Sequence, residues 1–447
     1  MFNPDDTIVA IATPPGRGGI GVVRISGPHS LEIAAGLCGR RIPLEPRRAT
    51  FARIAAAGAS DQVIITFFPA PHSFTGEDVV EISAHGSPVL LRAILEASMD
   101  GGARLAEPGE FTFRAFLRQR IDLVQAEAVR DLVDAVTPLQ ARAAYDQLEG
   151  TLTGEIRRLD ARLFDLTVRL EASLDFPDEG YHFIESGDAA REIGSLIGEL
   201  DALLATAARG RLVREGLQVA IAGKPNVGKS SLFNQLAGAG RAIVTEVPGT
   251  TRDLLTETVD VDGVPMTIVD TAGLRVATLD PIEREGIARA EAAHDVAHVI
   301  VVVLDRARPI EDVDRDLLAA TSPRPRVVVA NKSDLAPAWQ DVGDARLVFV
   351  SAKSGDGMDH LRRAIVEAAS GEPLRDVPAI TNVRHAELLA QARQALDRAA
   401  AAAAAMQPEE LVVADLTEAR RKLEEVTGVR TSDDVLRAIF ERFCIGK

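Results

Sequence analysis

The stretch Gly223-Lys224-Pro225-Asn226-Val227-Gly228-Lys229-Ser230 has the spacing G-x-x-x-x-G-K-[ST]. Such a loop wraps its backbone around phosphate. Glycines permit the tight turn, and successive N–H groups with a helix N-terminus supply positive dipole. Lys229 is placed to reach the β- and γ-phosphates, and the Ser230 hydroxyl to ligate Mg2+. The flanks agree: residues 217–222 read as a buried strand, and 231–236 as the first turns of a helix. A Gly-rich turn before a helix would look the same in isolation, so the motifs downstream decide.

Three follow in order. Asp270-Thr271-Ala272-Gly273 comes after the apolar run 265–269. It supplies a carboxylate for the Mg2+ shell and a glycine N–H for the γ-phosphate. Asn331-Lys332-Ser333-Asp334 comes after the run 326–330. Its Asp334 can accept two hydrogen bonds from the N1–H and 2-amino group of guanine, which adenine cannot offer. Ser351-Ala352-Lys353 follows the run 347–350 and would close over the base. Each short motif is weak alone, but four in this order, each after a β run, make a GTPase domain the economical reading. In the first switch, Thr251 is placed to ligate Mg2+ in the GTP state.

One expected part is missing. Many small GTPases orient the attacking water with a Gln directly after the D-x-x-G motif, and here that position is Leu274. Asn226, inside the phosphate loop, could face the β- and γ-phosphates and hold a monovalent cation in place of an arginine finger. A loop-capping amide is the plainer reading of the same residue. Glu283 and Glu285 both lie within reach of the γ-phosphate, and position alone does not choose between them.

The chain around these motifs has 447 residues, 46% hydrophobic and 26% charged, enough for two to four domains with cores of their own. No apolar run reaches ~18 residues, and the first residues lack a basic region and an apolar core, so neither a membrane span nor a signal peptide is expected. Two cysteines, Cys38 and Cys444, make no disulfide framework and suit a reducing, cytoplasmic setting. A formal charge of −16 argues against a generic nucleic-acid coat protein. The terminal Cys-Ile-Gly-Lys is not a prenylation box, because Gly446 is not aliphatic and Lys447 is not an accepted last residue.

Residues 1–118 read as a mixed α+β unit, with strands at 7–13, 20–26, 62–68 and 78–83 and helices at 87–99 and 110–117. The Gly-rich turn 14–19 lacks the phosphate-loop spacing. Arg40, Arg41, Arg47, Arg48 and Arg53 read as a solvated loop, with an anion or RNA contact as the sharper alternative. From 121 to 212 the pattern is helical. Leu148, Leu152, Ile156, Leu159, Leu163, Leu166, Leu170 and Leu174 form one apolar stripe, roughly 40 Å of helix at ~1.5 Å per residue. Arg157, Arg158, Arg162 and Arg169 ride on its solvated faces. Beyond 371 helices are expected at 382–406, 408–426 and 435–443, the last capped by 431–434. The organisation implied is 1–118, a helical part at 119–214, the GTPase module at 215–370, and a second helical part at 371–447. The GTPase module is then an insertion into one helical domain.

Further stretches carry a resemblance over nearly the whole chain. They are Ala12-Thr13-Pro14-Pro15-Gly16-Arg17-Gly18-Gly19-Ile20-Gly21, Thr75-Gly76-Glu77-Asp78, Pro108-Gly109-Glu110-Phe111, Gly249-Thr250-Thr251-Arg252-Asp253, Asp270-Thr271-Ala272-Gly273-Leu274-Arg275 and Phe443-Cys444-Ile445-Gly446-Lys447. Together they resemble the MnmE (TrmE) family of tRNA uridine-modifying GTPases. The resemblance implies a multidomain α+β and α/β protein: an N-terminal folate-binding-like α+β domain, an all-α helical domain and an inserted Ras-like P-loop GTPase domain. It implies a homodimer joined through the N-terminal domains. It places 5-formyltetrahydrofolate, or a related tetrahydrofolate, at Arg24, Glu81, Arg120 and Lys447. Its GTP contacts map to Asn226, Val227, Gly228, Lys229, Ser230 and Ser231, to Thr245, Glu246, Val247, Pro248, Gly249, Thr250 and Thr251, to Asp270 through Gly273, to Asn331, Lys332 and Asp334, and to Ser351, Ala352 and Lys353. Mg2+ maps to Ser230, Thr251 and Asp270, and K+ to Asn226, Thr245, Val247 and Thr250. By analogy Glu283 is the water-positioning acid. Cys444 matches a cysteine with a role in the modification, with a buried structural thiol as the alternative. The family acts with an FAD-dependent MnmG (GidA)-type partner in a heterotetramer, installing aminomethyl or carboxymethylaminomethyl groups at C5 of the wobble uridine (position 34) of tRNA. A regulatory or ribosome-assembly GTPase switch is the rival reading.

Overall fold

The computed structural model describes residues 6–39, 44–56, 58–175, 186–239, 256–270, 297–344, 346–370 and 379–447. It divides into two compact units, one of Met1–Arg130, Leu148–Arg162 and Arg420–Lys447, the other of Asp131–Gln147 and Leu163–Ala419.

The first unit holds a six-stranded sheet: β1 (Ile8–Ile11), β2 (Gly18–Ser26), β3 (Thr50–Ala56), β4 (Ala59–Phe68), β5 (Val79–Gly86) and β6 (Arg104–Leu105), in the order β3-β4-β5-β2-β1-β6. All pairings are antiparallel except β1 with β6. Alternation along the strands sends Val23, Ile25, Ile54, Val63, Ile65, Val80 and Ile82 to one face. There they form a core with Ile33 of helix Ser30–Leu37 and Leu91 and Ile94 of helix Pro88–Asp100. The C-terminal helix Asp433–Phe440 docks on helix Glu110–Leu117. Phe440 is fully buried, edge-on to Phe113 with centroids 5.1 Å apart, and joins Leu123, Ala126, Leu436 and Phe443 in a second core.

Several expectations shift here. Arg53 lies in β3, not in a loop. Ser432 does occupy the N-cap of the last helix but makes no side-chain capping bond. Asp433 and Asp434 in the first turn meet the helix dipole instead. The leucine stripe does not run through one helix. Helix Pro138–Leu148 ends before Gly150, whose φ of 86° breaks the ladder, and helix Thr151–Asp175 restarts it. Leu152, Ile156, Leu159, Leu163, Leu166 and Leu170 are all buried on it. Its arginines pair with acids, Arg158 with Glu155 and Arg169 with Glu192 and Asp165, as a solvated face requires.

The second unit holds β7 (Leu217–Ala222), β8 (Thr256–Val261), β9 (Val264–Asp270), β10 (Val299–Asp305), β11 (Arg326–Asn331) and β12 (Leu347–Phe349), in the order β12-β11-β10-β7-β9-β8. Every pair is parallel except β8 with β9. The central strands are apolar on both faces, because helices cover both. Helices Lys229–Ala239 and Met358–Ser370 pack one side through Leu232, Leu236, Leu361 and Ile365. Helix Asp312–Thr321 covers the other through Leu317 and Leu318. In the same unit helices Ser186–Leu204 and Val383–Ala404 pack together. Buried Ala392, Ala395, Ala399 and Ala402 keep the second of them slim, and Arg393 pairs with Asp201 across it. The turn of the β8–β9 hairpin is held by Thr137, whose Oγ1 donates to the Gly263 carbonyl at 2.6 Å.

Candidate functional site

The order of the second sheet reverses at β7: the chain leaves it for β8 and β9 on one side and returns to β10 on the other. In open α/β sheets the crevice at the carboxyl ends of the strands beside such a switch point is where ligands bind. The phosphate loop leaves the end of β7 there, and helix Lys229–Ala239 follows it directly. Asn226 has φ +67 and Gly228 φ +99, so the loop turns through the left-handed region twice. At Gly228 no other residue would do, since a Cβ would lie 2.2 Å from Asn331 Nδ2. Lys229 Nζ donates to the carbonyls of Gly223 (2.8 Å) and Lys224 (2.7 Å), which holds its ammonium inside the loop. Ser230 and Ser231 open the helix at its positive end and are exposed.

The base-reading loop is tied to this loop by two bonds and to the Ser351-Ala352-Lys353 loop by a third. Asn331 Nδ2 donates to the Val227 carbonyl at 2.8 Å, and Asn331 Oδ1 accepts the Ala352 N–H at 3.0 Å. Lys332, itself at φ +66, donates from Nζ to the Asn226 carbonyl at 3.0 Å. Asn331 is thus a buried bracket joining three of the four motifs. Asp334 stays exposed and accepts from Ser351 Oγ at 2.7 Å. That hydroxyl first, and then the charges of Lys353 and Lys332, hold its carboxyl below the usual carboxylate range against a smaller burial effect. It is therefore ionised at neutral pH and aimed by Ser351. Lys353 is exposed beside it.

Beside the loop lies a cavity of about 160 Å³ lined by Lys224, Asn226, Asp305, Arg308, Glu311 and Asp314 among others. Lys224 Nζ meets Glu311 (2.8 Å) and Asp314 (2.6 Å), and these two bonds raise its pKa above the usual lysine value. Sequence reasoning missed these acids and Asp305, although Asp305 ends an apolar run, Val299–Leu304, as Asn331 ends its own. Strand β9 ends on Asp270, opposite Ile221. The side chain of Asp270 and all of Thr245, Glu246, Val247, Pro248, Gly249, Thr250, Thr251, Thr271, Ala272, Gly273, Leu274, Glu283 and Glu285 lie outside the described residues, as do Arg40 and Arg41.

In the first unit, Arg24 and Glu81 face each other across β2 and β5 and pair at 2.8 Å. Arg24 Nη1 also donates to the Gly446 carbonyl at 3.3 Å, and its guanidinium lies 5.6 Å from the Phe74 ring centre and 5.7 Å from that of Phe111. Phe111 N–H in turn donates to Lys447 O at 3.2 Å. Arg24, Glu81 and the C-terminal tail are therefore brought together, while the stem of Arg120 lies over Gly76. Cys444 is exposed, which excludes the buried structural thiol.

Behind that group runs a network no sequence signal announced. Arg114, 1% exposed, binds Glu77 at 3.2 Å, Glu110 at 3.0 Å and Asp6 at 2.5 Å. Arg104 joins Asp6 and Glu110, and Arg118 joins Glu77. Ser26 Oγ donates to Glu77 as well. The Thr75-Gly76-Glu77-Asp78 and Pro108-Gly109-Glu110-Phe111 stretches are the two acid-bearing sides of this one network.

The sheet order, the phosphate loop and the guanine-type bracket define a P-loop GTPase domain, carried on a chain with a separate α+β unit. Comparisons give the family. Residues 7–120 match the family described as "GTP-binding protein TrmE N-terminus", and residues 123–444 match the "MnmE helical domain". A protein of Azoarcus sp. (strain BH72) named "tRNA modification GTPase MnmE" is 46% identical over 99% of this chain and 98% of its own. Proteins of the same name are 44% identical in Koribacter versatilis (strain Ellin345), over 100% of both chains, and 42% identical in Nitrosomonas europaea (strain ATCC 19718 / CIP 103999 / KCTC 2705 / NBRC 14298), over 99% of both. This chain belongs to the MnmE family and is a GTP hydrolase of that family. No described helix is long and apolar enough to cross a membrane.

Proposed function

We propose that the chain is a potassium-dependent GTPase, activated by dimerisation of its GTPase modules. With an FAD-dependent MnmG-type partner it modifies C5 of the wobble uridine of tRNA in the cytoplasm. The observation that carries this reading is end-to-end likeness at 42–46% identity to proteins named for tRNA modification. The meeting of Arg24, Glu81 and the tail in the first unit favours it over a bare regulatory or ribosome-assembly switch, which has no use for such a group. In this reading the GTPase module spans 215–370, inserted between the helical parts 119–214 and 371–447.

Mg2+ would be held by Ser230, Thr251 and Asp270, and K+ by Asn226, Thr245, Val247 and Thr250. Magnesium supplies charge neutralisation at the β- and γ-phosphates, and potassium the charge an arginine finger would otherwise bring. The fixed, left-handed backbone at Asn226 supports its part, because a cation ligand must be held still to select its ion. Glu283 orients the attacking water where Leu274 cannot. Turnover of GTP should be roughly tenfold faster in potassium than in sodium buffer, as one well-placed charge in a phosphoryl-transfer site warrants. Asn226→Ala and Glu283→Ala should each abolish that advantage. Equal rates in the two salts would remove the potassium mechanism and leave the nucleotide site standing.

Arg24, Glu81, Arg120 and Lys447 would hold the folate, the arginines as cations for its carboxylates. Titration with 5-formyltetrahydrofolate should show saturable heat that Arg24→Ala removes. No heat with the intact chain would return the switch reading to first place.

A further inference from the structure

We infer that Asp305 is a positioning residue of the guanine-nucleotide site: its carboxylate holds Lys332 so that the base-reading loop and the phosphate loop are locked to each other. Asp305 is the last residue of β10 and sits opposite Asn331 in the sheet register. Its side chain is only 8% exposed, and Oδ2 lies 2.6 Å from Lys332 Nζ. The same ammonium donates to the Asn226 carbonyl at 3.0 Å, so it bridges the end of β10 and the phosphate loop. Asn331, one residue earlier, bonds the next carbonyl along, that of Val227. Two adjacent residues of one loop thus grip two adjacent carbonyls of the other.

The grip through Asn331 is buried and neutral. The grip through Lys332 depends on a long side chain with four rotatable bonds, which costs entropy to fix. A charge-assisted bond to a nearly buried carboxylate supplies what a carbonyl alone does not. Other groups facing Asp305 have separate tasks. Oδ1 accepts the Ala307 N–H at 2.9 Å, its backbone carbonyl accepts from Trp339 Nε1 at 3.0 Å, and Arg308 stands off at 3.8 Å. Arg306 is engaged elsewhere, over the Phe349 ring at 4.5 Å. Asp305 therefore has two separable roles: a turn cap that needs only an oxygen, and an anchor that needs a negative charge.

Two substitutions separate them. Asp305→Asn keeps an oxygen for the Ala307 N–H and removes the charge from Lys332. Asp305→Glu keeps the charge, on a longer arm, and disturbs the cap. GDP binding to the full chain, measured by titration calorimetry, should weaken about tenfold in Asp305→Asn and less than about twofold in Asp305→Glu. Asp305→Asn combined with Lys332→Met should bind GDP no more weakly than Lys332→Met alone, because both remove one link. If Asp305→Asn does not fold, Asp305→Ser, which also caps the turn, takes its place. Losses as large in Asp305→Glu as in Asp305→Asn would overturn the proposal and leave only the cap. Unchanged binding in Asp305→Asn, or losses that multiply in the double variant, would overturn it as well.

Discussion

Asp334→Asn should weaken GDP binding by roughly a hundred- to a thousandfold and at the same time open the site to xanthine nucleotides. Guanine presents two donors, N1–H and the 2-amino group, and a carboxylate answers both. An Asn side chain offers one oxygen and one NH2 group, so one bond is lost and a donor faces a donor. Sites that read a base by buried polar groups discriminate this strongly because the mismatch leaves those groups unpaired. Xanthine carries an oxygen where guanine has its 2-amino group, and that oxygen accepts from the new amide. Ser351 Oγ donates to Asp334 Oδ1 at 2.7 Å and fixes the plane of the carboxylate that reads the base. The lowered pKa of Asp334 sets the pH dependence. The charged form persists below the ordinary Asp value, so guanine preference should be flat from neutral pH down to about pH 5, about a unit above that value. Calorimetry with GDP and XDP checks the exchange. An equal fall for both nucleotides would mean that the loop has been disordered and that no base reading was altered.

The base-reading residues were legible because each motif is local: four or fewer residues, each after an apolar β run. The physics that makes those motifs work was not local. Asn331 is buried by reaching Val227, 104 positions away, and Asp305 acts through a lysine 27 positions on. Strand β3 was read as a loop because three of its residues are alanines and Arg53 extends a scatter of arginines, while the strand is fixed by pairing with β4. The leucine stripe kept helical period through Glu149 and Gly150, so periodicity alone could not see a break made by one backbone dihedral. Likewise Glu77 and Glu110 stood in the sequence only as marks of family likeness, and their partner Arg114 stood out in neither pattern nor composition. A buried arginine among apolar neighbours becomes visible only when three separate segments of chain arrive around it.

That arginine carries the other large effect. Arg114→Met keeps length and approximate volume but removes the one guanidinium that, among the described residues, touches Glu77, Glu110 and Asp6 together. Glu110 is fully buried and the Glu77 side chain is 4% exposed. Breaking a buried ion cluster by deleting one partner costs about 3–5 kcal/mol, because three buried or half-buried acids are then left to share the charges of Arg104 and Arg118. At about 2–4 °C per kcal/mol for a domain of this size, unfolding of the first unit should move down by roughly 10 °C. The pH dependence separates this cause from a packing defect. In the intact chain burial tends to raise the pKa of Asp6, and its bonds to Arg104 and Arg114 outweigh that and lower it. A folded pKa below the unfolded one contributes stability above the unfolded value, near 4, which is lost as the pH falls through the folded value. Without Arg114, Asp6 keeps Arg104 but loses one of the two arginines that outweigh its burial, so its folded pKa moves up. The stability that Arg114 contributes through this acid is then missing in full at neutral pH, and the difference fades as the pH falls and Asp6 takes up its proton in both chains. The gap between Arg114→Met and the intact chain should therefore narrow in thermal melts as the pH falls from about 7 through the ordinary Asp value near 4, whereas a cavity would hold it constant. Adding Glu110→Gln to Arg114→Met should recover much of the loss at pH 7, since Asp6 and Glu77 are then matched by Arg104 and Arg118. A gap that stays constant with pH, or a double variant as weak as the single one, would assign the effect to packing and not to charge.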